Sequence, residues 1–240
     1  MEIITYFWHY YLYIPLFNFL IFLYNNYSNY NLGIAVIILT VLLRLLLLPF
    51  SILTEQSKIV SDKLTKEVRE IEKDFAADVV KKKQMIRLAL KKRKVRPWAK
   101  AIVLGVQGLV LFLLYQVFLG GINTEEKLHQ LYPSIMRPDF VNTKFLWFNV
   151  GQKDLLITFI VALYIFVDIL IQRWGRSYKL SKKEQLFSLL FPAFCFLILY
   201  SLPSVKSLFI LTSLVFSSII SMITIFIQIT LKQAENKPQK

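Results

Sequence analysis

This 240-residue chain has one cysteine, two histidines, seven glycines and eight prolines, so it is poor in four residue types that often mark sites or linkers. Cys195 lies inside an apolar run, with no second cysteine for a disulfide and no companion for a metal site. His9 and His129 stand far apart without ligand spacing around either, and both read as polar residues near a membrane surface. Few glycines and prolines leave little linker character, so residues 1–240 read as one domain. Residues 1–12 hold no Lys or Arg, so the positive start of a cleavable signal is missing, and no small-residue cleavage site follows. Nor is there an Arg- and Ser-rich presequence, and the expectation is a mature chain starting at Met1. Nucleotide-binding loops, catalytic pairs and metal constellations are lacking too, which predicts a non-enzyme without a cofactor.

What is abundant is apolar sequence: 56% of residues are hydrophobic and the mean hydropathy is +0.53. The excess is concentrated in long runs rather than spread at core spacing, which predicts transmembrane helices. The runs are residues 31–53, 98–119, 154–171, 186–202 and 208–231. The first approaches the ~20 residues that span a bilayer core, and the others range around that length. Residues 1–30 are apolar but crowded with Tyr and Trp and interrupted by Pro15 and Asn18. Such residues favour the headgroup level, so an interfacial helix is expected, with a further span as the alternative.

Residues 54–97 differ in kind, with 14 Lys+Arg and 7 Asp+Glu around apolar residues at helical spacing. Two charged helices joined near residues 76–78 are expected to form a hairpin outside the membrane. The fold class is therefore an all-α integral membrane protein: a five-span bundle, a charged cytoplasmic hairpin and an N-terminal interfacial helix. The formal charge of +14 is explained by topology. Basic counts of 14, 5 and 3 for the hairpin, residues 172–183 and the tail oppose 4 and 1 for residues 120–153 and 203–207. The basic side is cytoplasmic, which puts the N-terminus outside and the hairpin and C-terminus inside.

Arg44 lies in the middle of the first run, where a charge costs ~2.5–3.5 kcal/mol on insertion scales. Counted along a continuous span, it is roughly 13 Å or more from either end, too deep for easy snorkelling. One alternative is a salt bridge to Asp168, whose depth matches poorly. The other is a hydrated cavity inside the bundle, which Thr40, Gln107, Gln116, Ser188, Thr212, Ser213, Ser217 and Ser218 could line. The second arm of the hairpin, with Lys81, Lys82, Lys83, Arg87, Lys91, Lys92 and Arg93, is basic with an apolar face. It suits anionic lipid headgroups or ribosomal RNA, with salt-sensitive binding in either case.

Residues 12–25 (LYIPLFNFLIFLYN) and 32–51 (LGIAVIILTVLLRLLLLPFS) resemble the entry to the core of the YidC/Oxa/Alb membrane protein insertase family. The resemblance continues through the charged hairpin, LLYQVFLGGI at 113–122, LYPSI at 131–135 and the Leu202-Pro203 pair, so it covers essentially the whole chain. It implies a five-span core around a water-filled groove in a bacterial cytoplasmic membrane. The family's groove arginine falls on Arg44, a polar residue one turn earlier on Thr40, and a glutamine of the next span on Gln107; Gln116 and Ser213 complete the expected groove. Clients would be nascent membrane proteins, with the ribosome, a Sec translocon and anionic lipids as further partners. Two departures stand out: residues 94–108 lack the usual opening of the second span, and Phe209 stands where a tyrosine is common. A small channel or permease is the competing function, and a scaffold the third. A channel would show repeats or helices broken mid-membrane, and a scaffold leaves Arg44 unexplained.

Overall fold

A computed structural model of the chain describes residues 2–75, 78–92, 97–174 and 182–235. The N-terminal run forms α1 (Glu2–Phe7), a π-helical stretch (Trp8–Tyr13) and α2 (Ile14–Asn26). Phe17, Leu20 and Ile21 on α2 are fully buried, while Tyr6, Tyr10, Tyr11 and Phe22 remain exposed. The polar residues of α2 lace it to the 120–153 segment. Asn18 donates to the carbonyls of Ile14 and Gln130 and accepts from the Tyr132 N–H at 2.6 Å. The Tyr24 hydroxyl accepts from Asn142 N–H at 2.8 Å. Asn18, which interrupts the apolar run in sequence, is thus a buried tie rather than a break.

Helix α3 (Leu32–Leu46) opens on Asn31, whose side chain accepts from the N–H groups of Gly33 and Ile34. Its buried residues, Leu32, Ala35, Val36, Leu39, Thr40 and Arg44, recur at three- and four-residue steps and form one face. The apolar run at 31–53 does not continue as one straight helix. It breaks at Leu47, and α4 (Leu48–Asp74) leaves α3 at 66°. Pro49 sits in the first turn of α4, where its missing N–H costs nothing and its fixed φ starts a helix. Arg44 therefore occupies the last turn of α3, three residues before the bend at Leu47. A cation there also meets the negative end of the helix dipole.

Helix α5 (Val79–Lys92) packs on α4 after a break near residue 75, and Asp78 caps it by accepting from Val80 and Lys81 N–H. Helix α6 (Pro97–Phe118) is apolar apart from Lys100, Gln107 and Gln116, and is followed by Gly120 and Gly121, both with positive φ. In the short α7 (Glu125–Leu128), Lys127 reaches back over that end. Its Nζ donates to the carbonyls of Val117, Leu119 and Gly121 at 2.6–2.8 Å, satisfying groups that the helix leaves open. A small hairpin follows, β1 (Lys144–Phe145) paired antiparallel with β2 (Phe148–Asn149).

Helix α8 (Leu155–Trp174) is capped by Asp154 and packs against α9 (Lys182–Tyr200), while α10 (Val205–Glu235) contacts α3, α4, α6 and α8. Among the described residues, Trp98–Phe118 and Val205–Ile227 are long and apolar enough to cross a membrane, and α3 with α4 makes a third crossing if taken as one bent span. Leu155–Ile171 and Leu186–Tyr200 are apolar but shorter. With Leu186, Phe187, Leu189 and Leu197 more than half exposed along α9, the protein is an all-α membrane protein whose outer faces suit lipid.

Candidate functional site

Three helices and the α3–α4 bend bring polar side chains to one place. Arg44 is 7% exposed. Its Nη2 donates to Gln107 Oε1 on α6 at 3.0 Å, and its Nη1 donates to Ser217 Oγ on α10 at 3.2 Å. Its hydrogen-bond partners among the described residues are therefore both neutral. Thr40, one turn earlier on α3, is fully buried and donates to the Val36 carbonyl at 2.6 Å.

Helix α10 contributes a stripe at four-residue spacing, Ser213, Ser217 and Ser221, which keeps three hydroxyls on the side turned toward α3 and α4. Ser213 is fully buried and its Oγ has no hydrogen-bond partner. It lines a cavity of about 10 Å³ together with Thr40, Arg44 and Gln107, roughly the space one water needs. Phe209 lines the same cavity. A second cavity of about 50 Å³ lies on the other side of Arg44, bounded by Ser51, Thr54, Glu55 and Ser217. Ser221 donates to Glu55 Oε2 at 3.1 Å. A guanidinium and a carboxylate thus share one small polar space at the bend.

Thr40, Arg44, Gln107 and Ser213, four of the five residues expected to line the groove, stand together here. The fifth, Gln116, does not join them. It lies nine residues beyond Gln107 on α6, about 13 Å along the axis, and accepts from Trp8 Nε1 at 2.6 Å. Ser218, also in the polar list, accepts instead from the Tyr164 hydroxyl. Sequence reasoning missed Glu55, which it assigned to the charged hairpin. The signal was available: Glu55 is eleven residues from Arg44, three helical turns on the same face had the helix been straight. On α5, Lys81, Lys83 and Arg87 are exposed and Lys82 half-buried. Lys91 and Lys92 lie in its last turn, and Arg93 lies outside the described residues.

Arg44 is thus a buried guanidinium with neutral hydrogen-bond partners and a small cavity on either side. Against this geometry, the family model of the 60Kd inner membrane protein matches residues 22–234, nearly the whole chain and all of these elements. The chain belongs to the 60Kd inner membrane protein family. Relatives in that family carry insertase names. The "Membrane protein insertase YidC" of Fusobacterium nucleatum is 29% identical over 210 residues, covering 85% of this chain and 91% of its own. The protein of the same name from Clostridium tetani is 30% identical over 90 residues, 38% of this chain and 41% of that one. "Membrane protein insertase YidC 2" of Listeria monocytogenes is 26% identical over 186 residues, covering 75% and 63% of the two chains.

Proposed function

We propose that this member of the 60Kd inner membrane protein family is a membrane protein insertase and chaperone of a bacterial cytoplasmic membrane. It moves short polar stretches of client proteins past Arg44 and releases their apolar helices into lipid. The observation that carries the reading is the Arg44 guanidinium, held by Gln107 and Ser217 at the α3–α4 bend, with a small cavity on either side. Both partners are neutral and exchangeable, so an acidic client residue can replace them without breaking an ion pair. The attraction is strongest where the dielectric is low. Once the polar stretch has crossed, burial of the client's apolar helix among acyl chains drives release. Binding and displacement suffice, and no covalent step is called for.

In this reading α3 with the start of α4, α6, α8, α9 and α10 are the five spans. The α4–α5 pair is the cytoplasmic hairpin that receives clients and touches anionic lipid or the ribosome. The N-terminus lies outside, and a Sec translocon is a further partner. Gln107, Thr40 and Ser213 line the path, while Gln116 serves the fold.

The test is reconstitution into liposomes with a single-span client bearing an acidic translocated tail, comparing wild type with Arg44→Ala and Arg44→Lys. Wild type inserts the client, Ala loses insertion and Lys keeps most of it. Equal insertion by all three would remove Arg44 from the mechanism. No insertion above empty liposomes, together with solute flux, would favour a channel or permease instead.

A further inference from the structure

The β1–β2 hairpin presents its most apolar residues outward. Leu146 and Trp147 form its two-residue tip and are 74% and 54% exposed. Leu146 has φ +50°, the left-handed region where such a turn ordinarily uses glycine. A leucine there is held against its backbone preference, and its side chain does not recover the cost by burial inside the protein.

The exposure is not looseness. Leu32 N–H donates to the Asn142 carbonyl at 3.1 Å, Asn31 Nδ2 donates to the Lys144 carbonyl at 3.1 Å, and Val150 N–H donates to the Thr143 carbonyl at 2.9 Å. Phe145 packs directly on Gly33, so closely that a Cβ at that position would collide with its ring. Phe148 is buried and meets Phe145 edge-on at 5.7 Å. The tip is therefore fixed in place on the N-terminal end of α3.

Beneath it lies a cavity of about 410 Å³ between α3, α8 and α10, with the tip itself as part of its wall. Thr212 is the one hydroxyl-bearing side chain in the lining, and it is spent on the Leu208 carbonyl at 2.8 Å. No carboxylate or ammonium reaches the lining. The cavity wall includes Val215 and Ile219, both exposed on α10, and on α8 Leu155, Leu156 and Phe159 are exposed as well. Hydrocarbon within and continuity with the exposed apolar faces of membrane helices suit an acyl chain.

We propose that the β1–β2 tip and the cavity beneath it form a phospholipid acyl-chain site in the leaflet opposite the charged α4–α5 pair. Leu146 and Trp147 lie among the chains, and one acyl chain enters the cavity. The site needs only that the helices sit in a bilayer; it stands whether or not the insertase reading does.

The test uses the full chain in vesicles of phosphatidylcholine with brominated acyl chains. Trp147 is one of four tryptophans, so its share of the emission is the difference between wild type and Trp147→Phe. That share is expected to lose about half or more of its intensity to the brominated chains and to resist aqueous iodide, as an acyl-embedded tryptophan does. Quenching by iodide and not by bromine would overturn the proposal, and so would protection from both, which means that protein covers the tip. A second variant separates lipid contact from simple structure. Leu146→Gly relieves the left-handed leucine, so it is expected to raise the melting temperature in detergent while lowering bromine quenching of Trp147. Unchanged quenching in that variant would also overturn the proposal.

Discussion

Replacing Gly33 by alanine tests whether the hairpin is locked to α3. An added Cβ would stand 2.5 Å from Phe145 Cδ2, 2.6 Å from its Cβ and closer still to Cγ, all far inside van der Waals contact. The ring or the helix must therefore move, an overpacking cost of ~1–3 kcal/mol. Against it stands the helix preference of alanine over glycine, at most ~1 kcal/mol in a helix interior. Gly33 is in the first turn, directly after the Asn31 cap, so the gain there is smaller. The clash wins, and Gly33→Ala should destabilise by about 1–2 kcal/mol, the difference of those two terms. Phe145→Ala alone removes a half-buried ring and should cost roughly half of the ~3–5 kcal/mol for a fully buried one. In the Phe145→Ala background the clash is gone, so Gly33→Ala should there be neutral or mildly stabilising. The coupling between the two positions is the measured quantity. Unfolding of the four proteins in detergent, followed by far-ultraviolet dichroism, closes the cycle. The same penalty for Gly33→Ala in both backgrounds, or stabilisation of the wild type, would refute the packing argument.

Other perturbations follow from the same contacts. Lys127→Met leaves three carbonyls of the α6 terminus without their cation; because Leu119 and Gly121 are exposed and water can replace it there, the loss should be about 1–2 kcal/mol rather than the full sum of three charge-assisted bonds. Gln116→Leu and Trp8→Phe each break one 2.6 Å bond and should each cost about 1 kcal/mol, with little added by combining them. Client insertion by Gln116→Leu should match wild type, and a loss equal to that of Arg44→Ala would return Gln116 to the groove. Glu55→Gln removes the negative charge that shares a cavity with Arg44. Insertion of clients with acidic tails should rise roughly five-fold, about 1 kcal/mol of relieved competition, while neutral tails should be unaffected; an equal change for both tails would show that Glu55 acts on the fold.

The long apolar helices and the charged pair α4–α5 were legible because each rests on local pattern, run length or charge density, whereas the placing of Thr40 and Gln107 with Arg44 came from the family resemblance, since spacing along the chain does not join residues of different helices. The break at Leu47 was not, although Pro49 stands in plain view. Hydropathy averages over a window, and a proline in the first turn of a new helix leaves that average untouched. The break sets Arg44 beside a 66° turn of the chain and brings Glu55, eleven residues on, to the same cavity. Gln116 stands apart from the other four for a different reason. An isolated polar residue in an apolar helix announces that it has a partner but not which one, and Trp8 is 108 residues away. The ordering of residues 120–153 was equally invisible, since it depends on Asn18, Tyr24 and Asn25 of α2 supplying hydrogen bonds to a loop more than a hundred residues downstream.

The bend at Leu47 also has a mechanical side. Helix α4 is 27 residues long, a rod of about 40 Å, pivoted three residues from Arg44. If the pivot yields by about 10°, the far end sweeps roughly 7 Å at that length while the guanidinium shifts hardly at all. The ratio works in reverse as well. A load taken up at the tip near Asp74 is delivered at the pivot with its displacement divided and its force multiplied, where the residues that separate Arg44 from Glu55 are seated. A load on the end of the rod would thus act on the cavity beside Arg44 as a crowbar does on a lid, without touching it.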